Sequence, residues 1–309
     1  MQAMMRMVRS WLGLSGFLLC AAIASGGASV AAPVQIEIQG LTALGELQLA
    51  SGKSLKSDGV VMILHEELAH HRMEIISALQ ELLRERGVNS LAITLTLGLQ
   101  NRHGIFDCAI EQDHRNEDAV VEIGAWISWL KEQGASSVTL AGHARGGNQV
   151  AIYAAKEPDK VVKRLVLIAP NADTTASMEA EYSRRFQQPL QPIVAEAEKL
   201  VAEEESTTLM SGVPFLACRS ANVTSGAFVN YYGPNQNLYT PSLLPHISMP
   251  VLIAVGELDP LANELLPAVQ GIPGTTKIKL ETLAGADHFF RDAAADDLAD
   301  RVADFLKQK

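Results

Sequence analysis

Two hydrophobic periods alternate along most of this chain. Residues 59–64 form an apolar run broken by nothing polar, the pattern of a strand buried on both faces of a parallel sheet. Met73, Ile76, Leu79 and Leu83 then recur at helical spacing. Residues 90–95 predict the next strand, and Val120, Ile123, Ile127 and Leu130 the next helix face. Residues 138–141 predict a short buried strand, with a helix from Asn148 to Ala155, and residues 163–168 predict another strand. Ahead of these, Val34–Ile38 and Glu46–Ala50 alternate apolar and polar, which predicts an antiparallel pair at the sheet edge. Strands alternating with helices imply an α/β fold, a mostly parallel central sheet flanked by helices.

The rhythm breaks after about Asn171 and resumes with a strand at residues 249–255, another at 277–281, and a last helix with Leu298, Val302, Phe305 and Leu306 on its apolar face. The interruption, residues 172–244, is expected to be a helical and irregular cap over the carboxyl ends of the strands. Residues 176–204 are rich in Ala, Glu and Gln and predict helix, whereas 205–240 carry Gly, Pro and Asn with no clear period. The α/β core is therefore assigned to residues 32–171 and 245–309.

The amino terminus carries Arg6 and Arg9, an apolar run from Trp11 to Ile23, and then small residues. The run is short for a membrane span, and Ser29-Val30-Ala31 fits the small-x-small rule. Residues 1–31 are expected to be a signal peptide cleaved before Ala32, giving a periplasmic or secreted protein with no stable membrane anchor. The chain carries 25 basic and 35 acidic residues, a net charge of −10; losing two arginines with the leader makes the mature charge −12. An acidic chain without a basic stripe argues against a nucleic-acid partner. Of three cysteines, Cys108 and Cys218 outlast cleavage. In an exported chain they are candidates for a disulfide; two separate buried thiols are the alternative.

Open parallel sheets bind ligands beyond the carboxyl ends of their strands. Four such ends carry chemically suggestive residues: His65-Glu66-Glu67, Gly142-His143-Ala144, Gly256-Glu257-Leu258-Asp259 and Gly285-Ala286-Asp287-His288. His288 and Asp259 suit a base and its orienter, since a carboxylate on one imidazole nitrogen fixes the tautomer and stabilises the imidazolium. His70 and His71 are poor metal ligands, because neighbours on a helix diverge by about 100° and no third ligand accompanies them. No metal and no cofactor is expected. Asp113-His114-Arg115 reads as a solvated charged loop, His143 and Arg145 as packing or surface residues, and Tyr231-Tyr232 as lining a pocket or covering the core.

The stretch Gly142-His143-Ala144-Arg145-Gly146-Gly147, between a strand and a helix, resembles the nucleophile elbow of the α/β-hydrolase family, G-x-S-x-G, with alanine where the serine belongs. The order elbow, acid, histidine is also the family's order. The resemblance covers residues 57–308. It implies acyl transfer to water at an ester, amide or related bond, with Ala144 at the nucleophile position and Asp259 and His288 as acid and base. It also implies an oxyanion hole from the backbone N–H groups of Arg145 and of Glu66 or Glu67. Two positions depart from the pattern. The methyl of Ala144 cannot attack a carbonyl, and Glu66 stands where the family's first loop usually has glycine. Three functions follow: a pseudoenzyme binding a small ester- or amide-like ligand without turnover; a serine hydrolase in which alanine has been substituted for the serine; and non-serine chemistry with His288 as general base.

Overall fold

The computed structural model describes residues 31–156, 158–273 and 276–308. The expected signal peptide lies outside them except for Ala31. The chain opens with the hairpin β1 (Ala32–Ile38) and β2 (Leu41–Gln48), paired antiparallel from Ala32↔Leu47 to Ile38↔Leu41. A one-turn helix α1 (Leu55–Asp58) leads into β3 (Val60–Leu64), every residue of which is buried. There follow α2 (Glu74–Glu85), β4 (Ser90–Thr94), α3 (Asp118–Glu132), β5 (Val138–His143), α4 (Arg145–Lys156) and β6 (Val162–Ile168). The eight-stranded sheet is completed by β9 (Val251–Gly256) and β10 (Ile278–Leu283), in the order β1-β2-β4-β3-β5-β6-β9-β10. Only β1 and β2 run antiparallel to their neighbours. The remaining pairs are parallel.

The expected α/β class is thus the observed one, and burial explains it. In β3, alternate residues serve opposite faces: Met62 and Leu64 join one apolar cluster, Val61 and Ile63 the other. Trp126, Ile127 and Leu130 of α3 cover the first face with α4; Ile76, Leu79 and Leu83 of α2 cover the second, with Leu298, Val302 and Phe305 of α10 (Ala293–Lys307). Each such side chain contributes about 1.5–3 kcal/mol when fully withdrawn from water. A strand with two buried faces has no room for polar alternation, so its run of apolar residues is the direct imprint of its place in the sheet.

Between β6 and β9 lie α5 (Thr175–Phe186), α6 (Gln191–Ala202), the hairpin β7 (Leu209–Phe215) and β8 (Cys218–Thr224), α7 (Ser225–Tyr232) and the short α8 (Thr240–Leu243). α9 (Ala262–Gln270) follows β9. The single helical stretch read over 176–204 is two helices, parted where Gln187 enters the left-handed region with φ 58°. The hairpin has no counterpart in the sequence reading. Its pairing slips at Ser211/Val213 and again at Val213/Phe215, with Gly212 at φ 71° and Pro214 inside the strand. Each slip reverses which residues face inward, so no two-residue period survives in the sequence.

Cys108, in the long loop after β4, is bonded to Cys218 at the start of β8, with Cα atoms 5.6 Å apart. The disulfide reading of the two cysteines therefore holds, and the alternative of separate thiols does not. The bond closes a sequence separation of 110 residues, worth on the order of 4 kcal/mol against the unfolded chain in the loop-entropy account. Polar contacts fasten the same region to the core. Glu117, ahead of α3, accepts from the side-chain amides of Asn230, Asn235 and Asn237 at 2.8–2.9 Å. Asn148 of α4 donates to Asn237 O at 2.8 Å and Thr240 Oγ1 at 3.0 Å and accepts from Asn116 at 2.9 Å.

Candidate active site

The register of β3 against β5 pairs Leu64 with Gly142, so the loop from His65 and the turn at Ala144 leave the sheet side by side. The turn is abrupt. β5 ends at His143 and α4 begins at Arg145, three residues earlier than the helical period begins. Ala144 alone makes the reversal, at φ 49°, a region that costs an L-residue about 1–2 kcal/mol. Three backbone bonds hold it there: Ala144 N to Ile168 O at 2.8 Å, Asn148 N to Ala144 O at 3.2 Å and Asn171 N to Ala144 O at 3.3 Å.

The glycines around this turn are there for space. A Cβ on Gly146 would lie 2.2 Å from His65 O and 2.8 Å from Leu64 O, and one on Gly142 would lie 2.3 Å from Gly146 O. Backbone therefore presses on backbone, and α4 starts in contact with the end of β3.

The neighbouring loop is fixed by His65 and Arg102, two residues that no local pattern in the chain links. His65 is buried, accepts the N–H of Leu95 at Nε2 (3.1 Å) and so carries its proton on Nδ1, which donates to Glu66 O at 2.6 Å. Burial and the nearby Arg102 push its pKa well below the ordinary histidine value, so the ring is neutral. Arg102, also buried, donates to the carbonyls of Leu95, Leu68, Gly104 and Ala69 at 2.7–3.3 Å. Desolvation lowers its pKa to about 10, which leaves it charged at neutral pH. Among the described residues, the backbone N–H groups of Glu66 and Glu67 have no protein acceptor. The N–H of Arg145 belongs to the first turn of α4, which has no intrahelical acceptor.

Asp259 and His288 meet on the far side. A Cβ on Gly256 would lie 2.5 Å from Ala286 O, and Leu258 N bonds Ala286 O at 2.9 Å, so the loops after β9 and β10 are zipped together. Asp259 Oδ2 then lies 2.7 Å from His288 Nδ1, while Asp259 Oδ1 accepts from Leu261 N at 3.0 Å. The carboxylate is nearly inaccessible, at 4% side-chain exposure, and the imidazole is 29% exposed, so the pair is sheltered but its outer nitrogen can be reached. Burial alone would lower the histidine's pKa, but the hydrogen bond and charge of Asp259, with Glu66 and Asp287, raise it above the ordinary value. Burial alone would raise that of Asp259; His288 outweighs it and holds the carboxyl below the carboxylate range. His288 is tied to the elbow through its backbone, its carbonyl lying 2.9 Å from Nε2 of the buried His143, with the two rings 4.8 Å apart.

Arg145, read from sequence as packing or surface, is a buried charge. Its guanidinium bonds Glu67 at 3.2 Å and Asp173 at 3.5 Å and lies over the Tyr231 ring, 5.2 Å from its centre. Burial opposes the cation, but the two carboxylates outweigh it and raise its pKa. The solvated-loop reading of Asp113-His114-Arg115 fails at His114, which is buried, packs edge-on to Phe106 and Tyr231, and bonds Tyr231 Oη at 3.0 Å. Tyr231 is buried in an aromatic cluster with Phe215, Phe228 and Tyr232. Among the described residues no group of three His, Cys, Asp or Glu side chains is placed to hold a metal ion.

The left-handed turn at Ala144, the unpaired N–H groups of the loop after β3 and the Asp259–His288 pair all stand at the carboxyl ends of strands of the parallel sheet. The sequence matches the alpha/beta hydrolase family over residues 68–301. The chain belongs to that family. Among solved structures it is similar to Est1E from Butyrivibrio proteoclasticus with ferulic acid bound, at 21% identity and TM-score 0.64, covering 88% of this chain and 97% of Est1E. The alpha/beta hydrolase GrgF from Penicillium sp. sh18 is 18% identical with TM-score 0.64 over 90% of this chain and 98% of its own. An esterase from Pyrococcus furiosus is 16% identical with TM-score 0.58 over 90% and 91%. At these identities the likeness establishes the fold. No curated protein sequence matches the chain.

The backbone contact at Gly146 makes a direct prediction for this hydrolase-family chain. Gly146→Ala puts a methyl against two carbonyls that cannot swing aside, and urea unfolding is expected to show a loss of about 3 kcal/mol. Gly124→Ala is the control, since its Cβ meets only Tyr153 at 3.8 Å and the change is expected to be neutral or stabilising by about 0.5–1 kcal/mol. Equal effects at the two positions would contradict the close-approach account.

Proposed function

We propose that this hydrolase-family protein is exported and binds a small ester- or amide-like ligand at the elbow without forming an acyl-enzyme. The observation that carries the reading is Ala144: the apex of the turn presents a methyl group beside an Asp–His pair that keeps its hydrogen bond. Without an oxygen there, His288 has nothing on the protein to deprotonate for attack. Glu66 supports the same reading, because an ionised carboxyl beside the oxyanion donors would oppose negative charge on a substrate oxygen. Residues 172–244 would serve as the cap that closes over the ligand. The disulfide supports export, because such bonds persist in oxidising compartments, and no helix among the described residues is long and apolar enough to cross a membrane. The intact Asp259–His288 pair favours a second reading, an active esterase-like serine hydrolase in which alanine has been substituted for its serine.

Hydrolysis of p-nitrophenyl acetate separates the two. The unaltered chain is expected to show no burst and no turnover above background. Under the first reading Ala144→Ser remains inert and gains activity, on the order of a hundredfold or more, only when Glu66→Gly is added. Activity from Ala144→Ser alone would favour the substituted serine, and a burst from the unaltered chain would overturn both. Export is checked by mass: protein recovered from outside the cytoplasm is expected to match residues 32–309 less the two hydrogens of the disulfide. A mass that retains residues 1–31 would contradict cleavage.

A further inference from the structure

Away from the elbow, three segments meet around a cavity of about 230 Å³: the turn between β1 and β2, the residues that follow β4, and the start of α3. In the sheet, β3 stands between β4 and the elbow strand β5, and none of Glu66, Glu67, Ala144, Asp259 and His288 lines this cavity. One part of its wall is apolar, from Ile38, Leu41, Leu95, Leu97, Ala119 and Val121. Val121 is 50% exposed, and Gln39 and Gly98 beside it in the lining are exposed as well, so the cavity opens to solvent.

The other part of the wall is acidic. Asp118 and Glu122, one turn apart on α3, both line the cavity. Glu122 is only 6% exposed, and its carboxylate accepts the N–H and the hydroxyl of Thr96 at 2.7–3.1 Å. Both donors are neutral. Among the described residues, no lysine, arginine or histidine forms an ion pair with Glu122 or Asp118. Arg115, the basic residue of the lining, gives Asp118 its backbone N–H at 2.7 Å. Its guanidinium lies toward the start of α7, where a Cβ on Gly226 would come within 3.3 Å of Nη2. Arg102 acts on Glu122 without touching it, its own N–H groups being taken up by backbone carbonyls. Burial therefore raises the Glu122 pKa, against the Thr96 bonds and Arg102. Buried carboxylates in proteins are paired with cations, and this one lines a cavity instead.

We propose that this cavity binds a small organic cation, a primary ammonium on a short alkyl chain. The nitrogen donates to Glu122 and Asp118, and the chain lies against Ile38, Leu95 and Leu97. Side chains one helical turn apart start about 5–6 Å from each other, so one nitrogen with three donors can serve both carboxylates. The volume sets the size. At about 230 Å³ the cavity is smaller than the roughly 300–1,000 Å³ usual for drug-sized ligands, so the chain is short. The proposal is independent of the reading of the elbow and assigns no chemistry to the site.

The test uses the tryptophans. In the mature chain these are Trp126 and Trp129, both on α3, and Trp126 lies one turn beyond Glu122. The probe is n-butylammonium chloride at fixed ionic strength, with 1-butanol as its neutral isostere. Butylammonium is expected to change the fluorescence saturably, with a Kd of about millimolar, the strength open to a ligand of so few atoms. It is expected to bind about tenfold more tightly than butanol, the effect of one hydrogen bond to a charged group. Glu122→Gln keeps an acceptor for Thr96 and removes the charge, so it is expected to reduce butylammonium to the level of butanol. Asp118→Asn keeps an acceptor for the Arg115 N–H and is expected to weaken butylammonium about threefold while leaving butanol unchanged. Equal binding of the two probes, or no saturable change, would overturn the proposal. So would undiminished butylammonium binding by a Glu122→Gln protein with native circular dichroism, which would leave Glu122 as an anchor of the Thr96 turn alone. The two-probe comparison and Asp118→Asn decide even if Glu122→Gln does not fold. An acyl-enzyme in the ester assay would refute the reading of the elbow and leave this one untouched.

Discussion

The contact on which the site depends is between main chains. The first turn of α4 lies against the end of β3, so closely that no Cβ fits at Gly146, and Ala144 must reverse the chain in one residue to bring it there. That contact sets the distance between the elbow and the His65–Glu67 loop, and with it the position of the free N–H groups. The sheet on both sides supplies the rigidity, since β3 and β5 are fully buried. The three backbone bonds to Ala144 keep its strained φ occupied whatever its side chain is. This is why a chain with a methyl at the apex still has the form of a hydrolase elbow: the shape is specified by glycines and main-chain bonds, and the nucleophile itself contributes nothing to it.

Around this contact the electrostatics are arranged in two layers. Below the loops, neutral His65 and charged Arg102 satisfy backbone carbonyls and fix the chain's path. Above them, Arg145 balances Glu67 and Asp173 where the residues after β6 and α7 come down onto the core. Removing one partner of such a buried set leaves an uncompensated charge, typically at 3–5 kcal/mol. The cluster therefore fastens the region between β6 and β9 to the elbow, as the Cys108–Cys218 bond and the Glu117 and Asn148 networks do from the other side.

Much of the core was legible in the sequence. Strands buried on both faces are mostly apolar, so β3, β5 and β9 stand out as runs, and the glycines of the elbow mark the place where α4 presses against the end of β3. Asp259 and His288 were identifiable by order along the chain, because each follows a strand of one parallel sheet. The hairpin β7–β8 was not legible, since two slips in pairing erase its period. The burial of His114 and Arg145 was not legible either. Both are polar residues whose partners, Tyr231 and Asp173, are remote in sequence or in charge pattern, and nothing local signals that they will meet. The one cue was Arg145's place immediately after the elbow, where a side chain must turn in toward the loops or out along the helix.

The central proposal is that this chain keeps the parts of an acyl-transfer frame but has Ala144 at the nucleophile position and Glu66 where the family's first loop has glycine. The most direct measurement is intact-protein mass after treatment with a fluorophosphonate, applied to the unaltered chain and to the Ala144→Ser, Glu66→Gly double variant. The account predicts no adduct on the former. On the double variant it predicts a single adduct at position 144 that disappears when His288→Ala is added. A folded double variant that takes up no label, or labels equally without His288, would contradict it.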